Sequence, residues 1–491
     1  MYPTTSLLCA LFLPSAAFGR LETWEQGSSS NFRGTCDKIA KAVSDASQVF
    51  FPPSTQYLSD ISHYAPSSTQ ESACSVEPGT AEDVSKILRI LGSTRTPFAV
   101  KGGGHATNPG FSSTKGVQIA LARFNETKVN YKDGTIEVGP GLTWDQVYTA
   151  LNSTGVNVIG GRIPGVGVAG LTLGGGYSYK SSQYGLAIDN VASYELVLPN
   201  GTITTVTSHD KDLWFGLRGG MNNFGIVTKF VLRSHPQAQI WAGLIFYTGT
   251  QLGAIKGAYA KFQETNDTKA SLIISIAYSS GQFTIVLNVF YDAPTPPPGL
   301  FDGFLAIPAV QNSLSTRSFS DYVVSLDSFA ASGTQRTFYS GIPVIRYTPA
   351  MFDAFSDQTL FWGTRLEALD KNASVIISME PFDSSLLSHG TPSAYPPNRS
   401  QVIFPSAINL LWTNASLDAT MARALRQTTD LVRAAVLADG QDVSHAAIYV
   451  NYALFDTPLK DMYGANVPRL RKIRAEIDPK DVMGLAGGFK F

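Results

Sequence analysis

A chain of 491 residues is long enough for two domains of ordinary size, each with its own core. With 44% hydrophobic and 15% charged residues and a formal net charge of -1, it reads as a globular protein with a sparsely charged surface. It lacks the basic excess that a nucleic-acid partner would need.

Residues 6–18 form an apolar segment ending in Ser15-Ala16-Ala17, with Gly19 beyond, so residues 1–19 are expected to be a secretory signal peptide. The segment has no Lys or Arg before it. A buried N-terminal helix is the alternative, against which Pro14 and the polar stretch 22–35 stand. No later apolar run reads as a membrane span. If the signal is removed, Cys9 leaves with it, and Cys36 and Cys74 remain as an even pair in an oxidising route. One disulfide between them is expected; two separate buried thiols are the alternative that spacing leaves open. Seven N-x-S/T sequons, at Asn125, Asn152, Asn200, Asn266, Asn372, Asn398 and Asn414, fit the same secreted or vesicular route.

Thr80, with Asp83 three residues on, opens a helix carried by Val84, Ile87, Leu88 and Leu91, which Gly92 is expected to stop. Phe98-Ala99-Val100 reads as a short buried strand leading into Gly102-Gly103-Gly104-His105. Runs at 117–121 and 136–138 are β-type, and Thr143 with Gln146 forms a capping box. The stretch 160–177 is then unusually rich in glycine. Consecutive bare amides can approach and cradle a pyrophosphate, which points to a nucleotide cofactor. Gly165, Gly167 and Gly170 also spell G-x-G-x-x-G, but Gly174-Gly175-Gly176 would each cost a helix interior about 1 kcal/mol, which argues against a Rossmann fingerprint.

Pro199-Asn200-Gly201 marks a hairpin between strands at 194–198 and 202–206, a short helix is expected over 212–218, and a strand returns over 225–232. After His235-Pro236 the texture changes to long strands at 241–247, 272–278 and 283–291, the last two forming an antiparallel hairpin. This reads as a second, sheet-based domain. Helical material follows at 420–437, and Tyr449-Val450-Asn451-Tyr452 reads as a last short strand before a loop and an amphipathic helix.

Five blocks, taken together and in this order, resemble one family: Val100 to His105, Gly160 to Tyr177, Asp212 to Gly220, Asn223 to Val227, and Tyr449 to Tyr452. The chain is similar to FAD-linked oxidases of the berberine-bridge-enzyme-like branch of the vanillyl-alcohol-oxidase or p-cresol-methylhydroxylase (PCMH-type) superfamily. The resemblance implies an α+β, two-domain FAD-binding fold. Its FAD domain is discontinuous, comprising residues 20–236 (core about 65–236) and 449–491, and residues 237–448 form a substrate domain of antiparallel sheet flanked by helices. It implies FAD as cofactor, linked covalently through His105, and no metal. Lys101, Gly102, Gly103, Gly104, Ala106, Gly165, Val166, Gly170, Gly174, Gly175, Tyr177, Gly225, Ile226, Val227, Tyr449 and Asn451 are the positions it assigns to holding the cofactor. From spacing alone His105 would be a turn or core histidine.

Many relatives attach the flavin a second time through a cysteine where this chain has Ile163. A single link is therefore expected, which lowers the reduction potential somewhat and counts against a carbohydrate substrate. Val166 matches the position that gates oxygen, which makes O2 the expected electron acceptor, although a valine would serve equally well to pack a strand. Tyr452 matches the family's active-site tyrosine, but a phenol with a pKa of about 10 is a poor base unless a neighbour stabilises the phenolate. The strand following Tyr395 to Arg399 contains no Asp or Glu, which argues against acid-assisted ring closure, and Glu380 matches a structural Glu-Pro-aromatic corner without a catalytic role.

The expected activity is dehydrogenation of a small, largely apolar alcohol, amine or polyketide-like metabolite of specialised metabolism, with hydride passing to flavin N5 and electrons to O2 to give H2O2. The alternatives are an oligosaccharide oxidase acting at the anomeric carbon, and a flavoprotein whose pocket templates binding or cyclisation without net redox.

Overall fold

The computed structural model describes residues 32–326 and 333–491; the expected signal segment lies outside the described residues. A first sheet of four strands runs in the order Gln48–Phe50, Cys74–Glu77, Val117–Ala120, Phe98–Lys101, the last three mutually parallel. Parallel neighbours need a crossover. The helix Ala81–Thr94 precedes Phe98–Lys101, and Thr80 caps it by accepting from Asp83 N at 3.1 Å. It passes through Gly92, where a stop was expected, and ends at Arg95 with φ 51°. Gly92 serves packing instead, since a Cβ there would stand 3.0 Å from Val482 Cγ2 of the C-terminal segment. Cys36, in the helix Arg33–Ala42, and Cys74, at the head of its strand, form the expected disulfide, and both are fully buried.

A second sheet of five antiparallel strands has the order Thr127–Asn130, Thr135–Val138, Ile226–Arg233, Val191–Val197, Ile203–Val206. The expected hairpin closes with Leu198 N donating to Thr202 O at 2.8 Å, and Gly201 takes φ 84°. Between these sheets and the next, the helix Val168–Leu173 is six residues long and ends at Gly174, so the triple glycine lies beyond it.

The third sheet is eight-stranded and antiparallel, with a central path Ile240–Thr248, Gln282–Tyr291, Ala270–Ser279, Ser374–Met379, Phe404–Trp412, Arg336–Val344. Successive side chains of a strand point to opposite faces. Ile274, Ile276, Val375, Ile377, Ile408 and Leu410 join one core with the helices Pro349–Glu367 and Asp418–Ala438. Their alternating neighbours Ile273, Ser275, Ile376, Ser378, Ala407 and Asn409 face a cavity on the other side.

Residues 450–452 form a 3-10 turn rather than the expected strand, with Tyr452 N donating to Tyr449 O at 2.9 Å. Its backbone lies against the third sheet, where a Cβ on Gly341 would stand 3.1 Å from Tyr452 Cβ. The helix Val467–Ile477 then packs Leu470 and Ile473 into the same core as the second sheet, and Tyr463 OH donates to Gly219 O at 3.1 Å. Among the described residues no helix is long and apolar enough to cross a membrane.

Candidate active site

Both glycine stretches meet at the cavity. A Cβ on Gly103 would stand 2.6 Å from Gly167 Cα, and one on Gly167 would stand 2.5 Å from Gly103 N, so two bare backbones lie directly against each other. Gly104 follows with φ 74° and turns the chain into His105. The cavity beneath the third sheet measures about 490 Å³. Of the residues assigned from sequence, Gly102, Gly103, Gly104, His105, Ala106, Val166, Gly170, Tyr177, Tyr449, Asn451 and Tyr452 line it.

The others lie behind or apart from that lining. Lys101 Nζ donates to Ser59 O and Asp60 O, both at 2.9 Å, and burial lowers its pKa to about 8. Gly165 N donates to Asp145 Oδ1 at 2.8 Å. Gly174 leaves room for Asn451, whose Oδ1 would stand 2.2 Å from a Cβ there, and Gly175, at φ 121°, leaves room for Tyr395. Gly225 takes φ 140° against Val197 O, while Ile226 is buried in the core of the first sheet and Val227 in that of the second. These last three shape the scaffold.

Tyr449 and Asn451 brace the second glycine stretch. Tyr449 OH accepts from Gly176 N at 3.1 Å and from Asn451 Nδ2 at 2.8 Å, and Asn451 Nδ2 also donates to Leu171 O at 3.1 Å. Tyr452 belongs to a different network. Its hydroxyl donates to Glu380 Oε1 at 2.8 Å and accepts from Arg162 Nη2 at 3.2 Å, and Arg162 Nη2 also donates to Glu380 Oε2 at 2.5 Å. The ion pair is buried, with side chains 7% and 4% exposed. Desolvation, then the Glu380 carboxylate, hold the Tyr452 phenol well above its ordinary pKa of 10, with Arg162 opposing. Tyr452 therefore rests as a protonated donor to Glu380.

Sequence reasoning missed Arg162 and set Glu380 aside as a corner. The available signals were a lone charge inside a glycine-rich stretch and a carboxylate at the end of an apolar strand. Ordinarily a charge in such company is paired or functional.

His105 is stacked on Tyr64, with ring centroids 4.0 Å apart, and its buried Nε2 has no partner among the described residues. Burial lowers its pKa to about 4, so the imidazole is neutral at physiological pH. Arg162 Nη1 is also buried without a partner. A Cβ on Gly170 would meet nothing within 4 Å. An open glycine backbone and unpartnered polar atoms on the cavity wall fit a flavin nucleotide: the loop 102–106 would receive its phosphates, and His105, Arg162 and Tyr452 would stand by its ring.

A model described as an FAD binding domain matches residues 72–207, and one described as berberine and berberine like matches residues 448–486. The chain is 31% identical over 428 residues to the FAD-dependent monooxygenase FUP4 of Fusarium proliferatum (strain ET1), covering 83% of this chain and 82% of that one. Among solved structures it is similar to 6-hydroxy-D-nicotine oxidase from Arthrobacter nicotinovorans, with TM-score 0.74 and 18% identity over 90% of this chain and 97% of that one. It is also similar to BBE-like 1 from Physcomitrella patens, with TM-score 0.73 and 21% identity over 92% and 97%. At such identities the structural likeness is one of fold. The protein is therefore an FAD-dependent oxidoreductase, of the α+β PCMH-type fold. Within that class it belongs to the berberine-bridge-like FAD-linked oxidoreductases.

Proposed function

We propose that this enzyme is a secreted oxidase that dehydrogenates a small, largely apolar and uncharged metabolite, carries FAD on a single covalent link through His105, and returns electrons to O2 as H2O2. The carrying observation is the hydrogen bond from Tyr452 to Glu380 at 2.8 Å in a cavity whose lining surface is mostly apolar. Bound FAD supplies the hydride acceptor and the route for electrons to oxygen.

The chain supplies proton handling and orientation. A substrate hydroxyl that hydrogen-bonds to the Tyr452 oxygen can pass its proton there, while the phenol's own proton moves along the existing bond to Glu380. Free phenolate, which burial disfavours, need never form. Arg162 Nη2 donates to the Tyr452 oxygen and to Glu380 Oε2, and so holds the two groups in register while the proton is relayed to Oε1. Glu380 and Arg162 neutralise each other, which favours a neutral substrate over a cationic amine.

On the sheet side, Ile273, Val286, Ile376, Ala407 and Leu411 give apolar contact, and Ser275 and Ser378 share a hydrogen bond at 2.8 Å. Tyr339 is the aromatic ring that the sheet strands present there among the described residues, which supports a small apolar substrate over a sugar held on stacked platforms. Val166 lines the cavity as an oxygen gate would. All seven sequon asparagines are exposed, which supports glycosylation and secretion.

The test is protein secreted from a eukaryotic host, acid-denatured and separated from free cofactor, with peroxide release measured on a panel of apolar alcohols. Flavin that stays with the chain, is released by acid from His105→Ala, and supports peroxide formation with an alcohol is the expected result. Flavin that washes off removes the covalent link, and flavin-loaded protein that makes no peroxide with any substrate it reduces on removes the oxidase reading.

A further inference from the structure

Tyr64 takes no part in the proton path, yet its backbone is bonded at both its N–H and its carbonyl. Its backbone N donates to Gly104 O at 2.9 Å, and its carbonyl accepts from Gly333 N at 2.8 Å. So anchored, the Tyr64 ring lies 4.0 Å from the His105 imidazole at an interplanar angle of 13°.

A histidine's ring plane is usually fixed by hydrogen bonds to its nitrogens, which occupies a lone pair or an N–H. Here Nε2 is left free of any partner among the described residues. Stacking fixes the plane by contact over the ring face and leaves that nitrogen's chemistry available.

We propose that Tyr64 is a positioning residue for covalent attachment of the flavin to His105, its ring holding the imidazole in the plane from which a nitrogen meets the flavin 8α-methyl carbon. The proposal rests on the reading that His105 carries the link. In that attachment an imidazole N–H and one methyl C–H break and a C–N bond forms. The two electrons and two protons released reduce the isoalloxazine, and O2 takes them up as H2O2. A reacting group misplaced by about 1 Å can lose on the order of 100-fold in rate, which is the leverage a stacking partner holds.

The experiment measures, on folded secreted protein, the ratio of acid-stable to total bound flavin in the wild type, His105→Ala, Tyr64→Phe and Tyr64→Leu. A structural role alone would lower total flavin or the melting temperature without changing this ratio. The expected result is a ratio for Tyr64→Leu at least about tenfold below wild type, with flavin still bound but released by acid, and a ratio for Tyr64→Phe, which keeps the ring, near wild type. Should Tyr64→Leu not fold, Tyr64→Met replaces it with the same expectation. A wild-type ratio in Tyr64→Leu or Tyr64→Met, or loss of attachment in Tyr64→Phe, overturns the proposal. Wild-type protein that releases all its flavin, or His105→Ala that retains acid-stable flavin, overturns the underlying reading instead.

Discussion

Tyr452 and Glu380 stand 2.8 Å apart, oxygen to oxygen, although one lies in the C-terminal segment and the other at the end of a strand in the third sheet. If that bond carries a proton during turnover, Glu380→Gln keeps its shape but removes the acceptor. Activity measured by peroxide release is expected to fall by about 10²- to 10⁴-fold with flavin content retained. Tyr452→Phe should cost a similar factor, and the double variant little more than either, because the two groups act as a unit. Glu380→Gln also leaves the Arg162 charge buried without its counter-ion, so chemical denaturation should show a loss of about 3 kcal/mol. Tyr452→Phe should not share that loss.

The glycine seam makes a second, divergent pair. In Gly103→Ala the new methyl would meet Gly167 backbone at 2.6 Å, which no side-chain movement relieves, so both melting temperature and flavin content should fall. In Gly170→Ala the methyl meets no protein atom within 4 Å and improves helix propensity by about 1 kcal/mol. Its apoprotein should be as stable as wild type or more so, with flavin content lowered by intrusion into the cavity. Equal flavin occupancy in Gly170→Ala and wild type would remove this face from the cofactor site.

Acid sensitivity should trace in part to His235. Its Nε2 lies 2.7 Å from Asn190 Oδ1, and burial, then Lys180 and Arg233, lower its pKa from 6.5 to about 4. The unfolded imidazole takes up a proton below about 6.5 and the folded one does not until about 4, so its contribution to stability is lost as pH falls across that window. Asp60, raised to about 6 by burial, works in the opposite sense over much of the same range, so the comparison must be with a variant. Denaturation midpoints of His235→Gln should fall less steeply from pH 6.5 to 4 than those of wild type.

The disulfide closes a loop of 38 residues between Cys36 and Cys74. By loop-closure entropy, Cys36→Ala with Cys74→Ala should lose about 3 to 4 kcal/mol in denaturation. Flavin spectra of the protein that remains folded should be unchanged, because neither cysteine lines the cavity.

Much of this was legible in advance because bare backbone and hydrophobic period are local signals. The glycine stretches, the helix begun at Thr80, the hairpin at Pro199-Asn200-Gly201 and the long antiparallel strands were read within a few residues. What failed depends on distant partners. Gly92 looks like a helix stop until Val482 is known to need its space. The turn at 450–452 carries β-prone residues, yet its conformation is set by the sheet and the glycine backbone that it lies between. In the strand Ala270–Ser279 the period separates Leu272, Ile274 and Ile276 from Ser271, Ile273 and Ser275, but which side meets a cofactor depends on what packs against each. Glu380 was passed over for the same reason, since its meaning lies in Tyr452 and Arg162, which sequence places 72 and 218 residues away.

The network of Arg162, Glu380 and Tyr452 draws one member from a glycine-rich stretch, one from the third sheet and one from the C-terminal turn. For anyone wishing to recombine such enzymes, this rules out treating the cofactor-holding and sheet portions as interchangeable cassettes. A grafted sheet from a relative would bring a new pocket face, but unless it brought an acid at position 380 it would strand a buried guanidinium and leave the Tyr452 hydroxyl without its acceptor. The productive unit of exchange is the pocket face alone, at positions such as Ile273, Ile376 and Leu411, which line the cavity and belong to no part of that network.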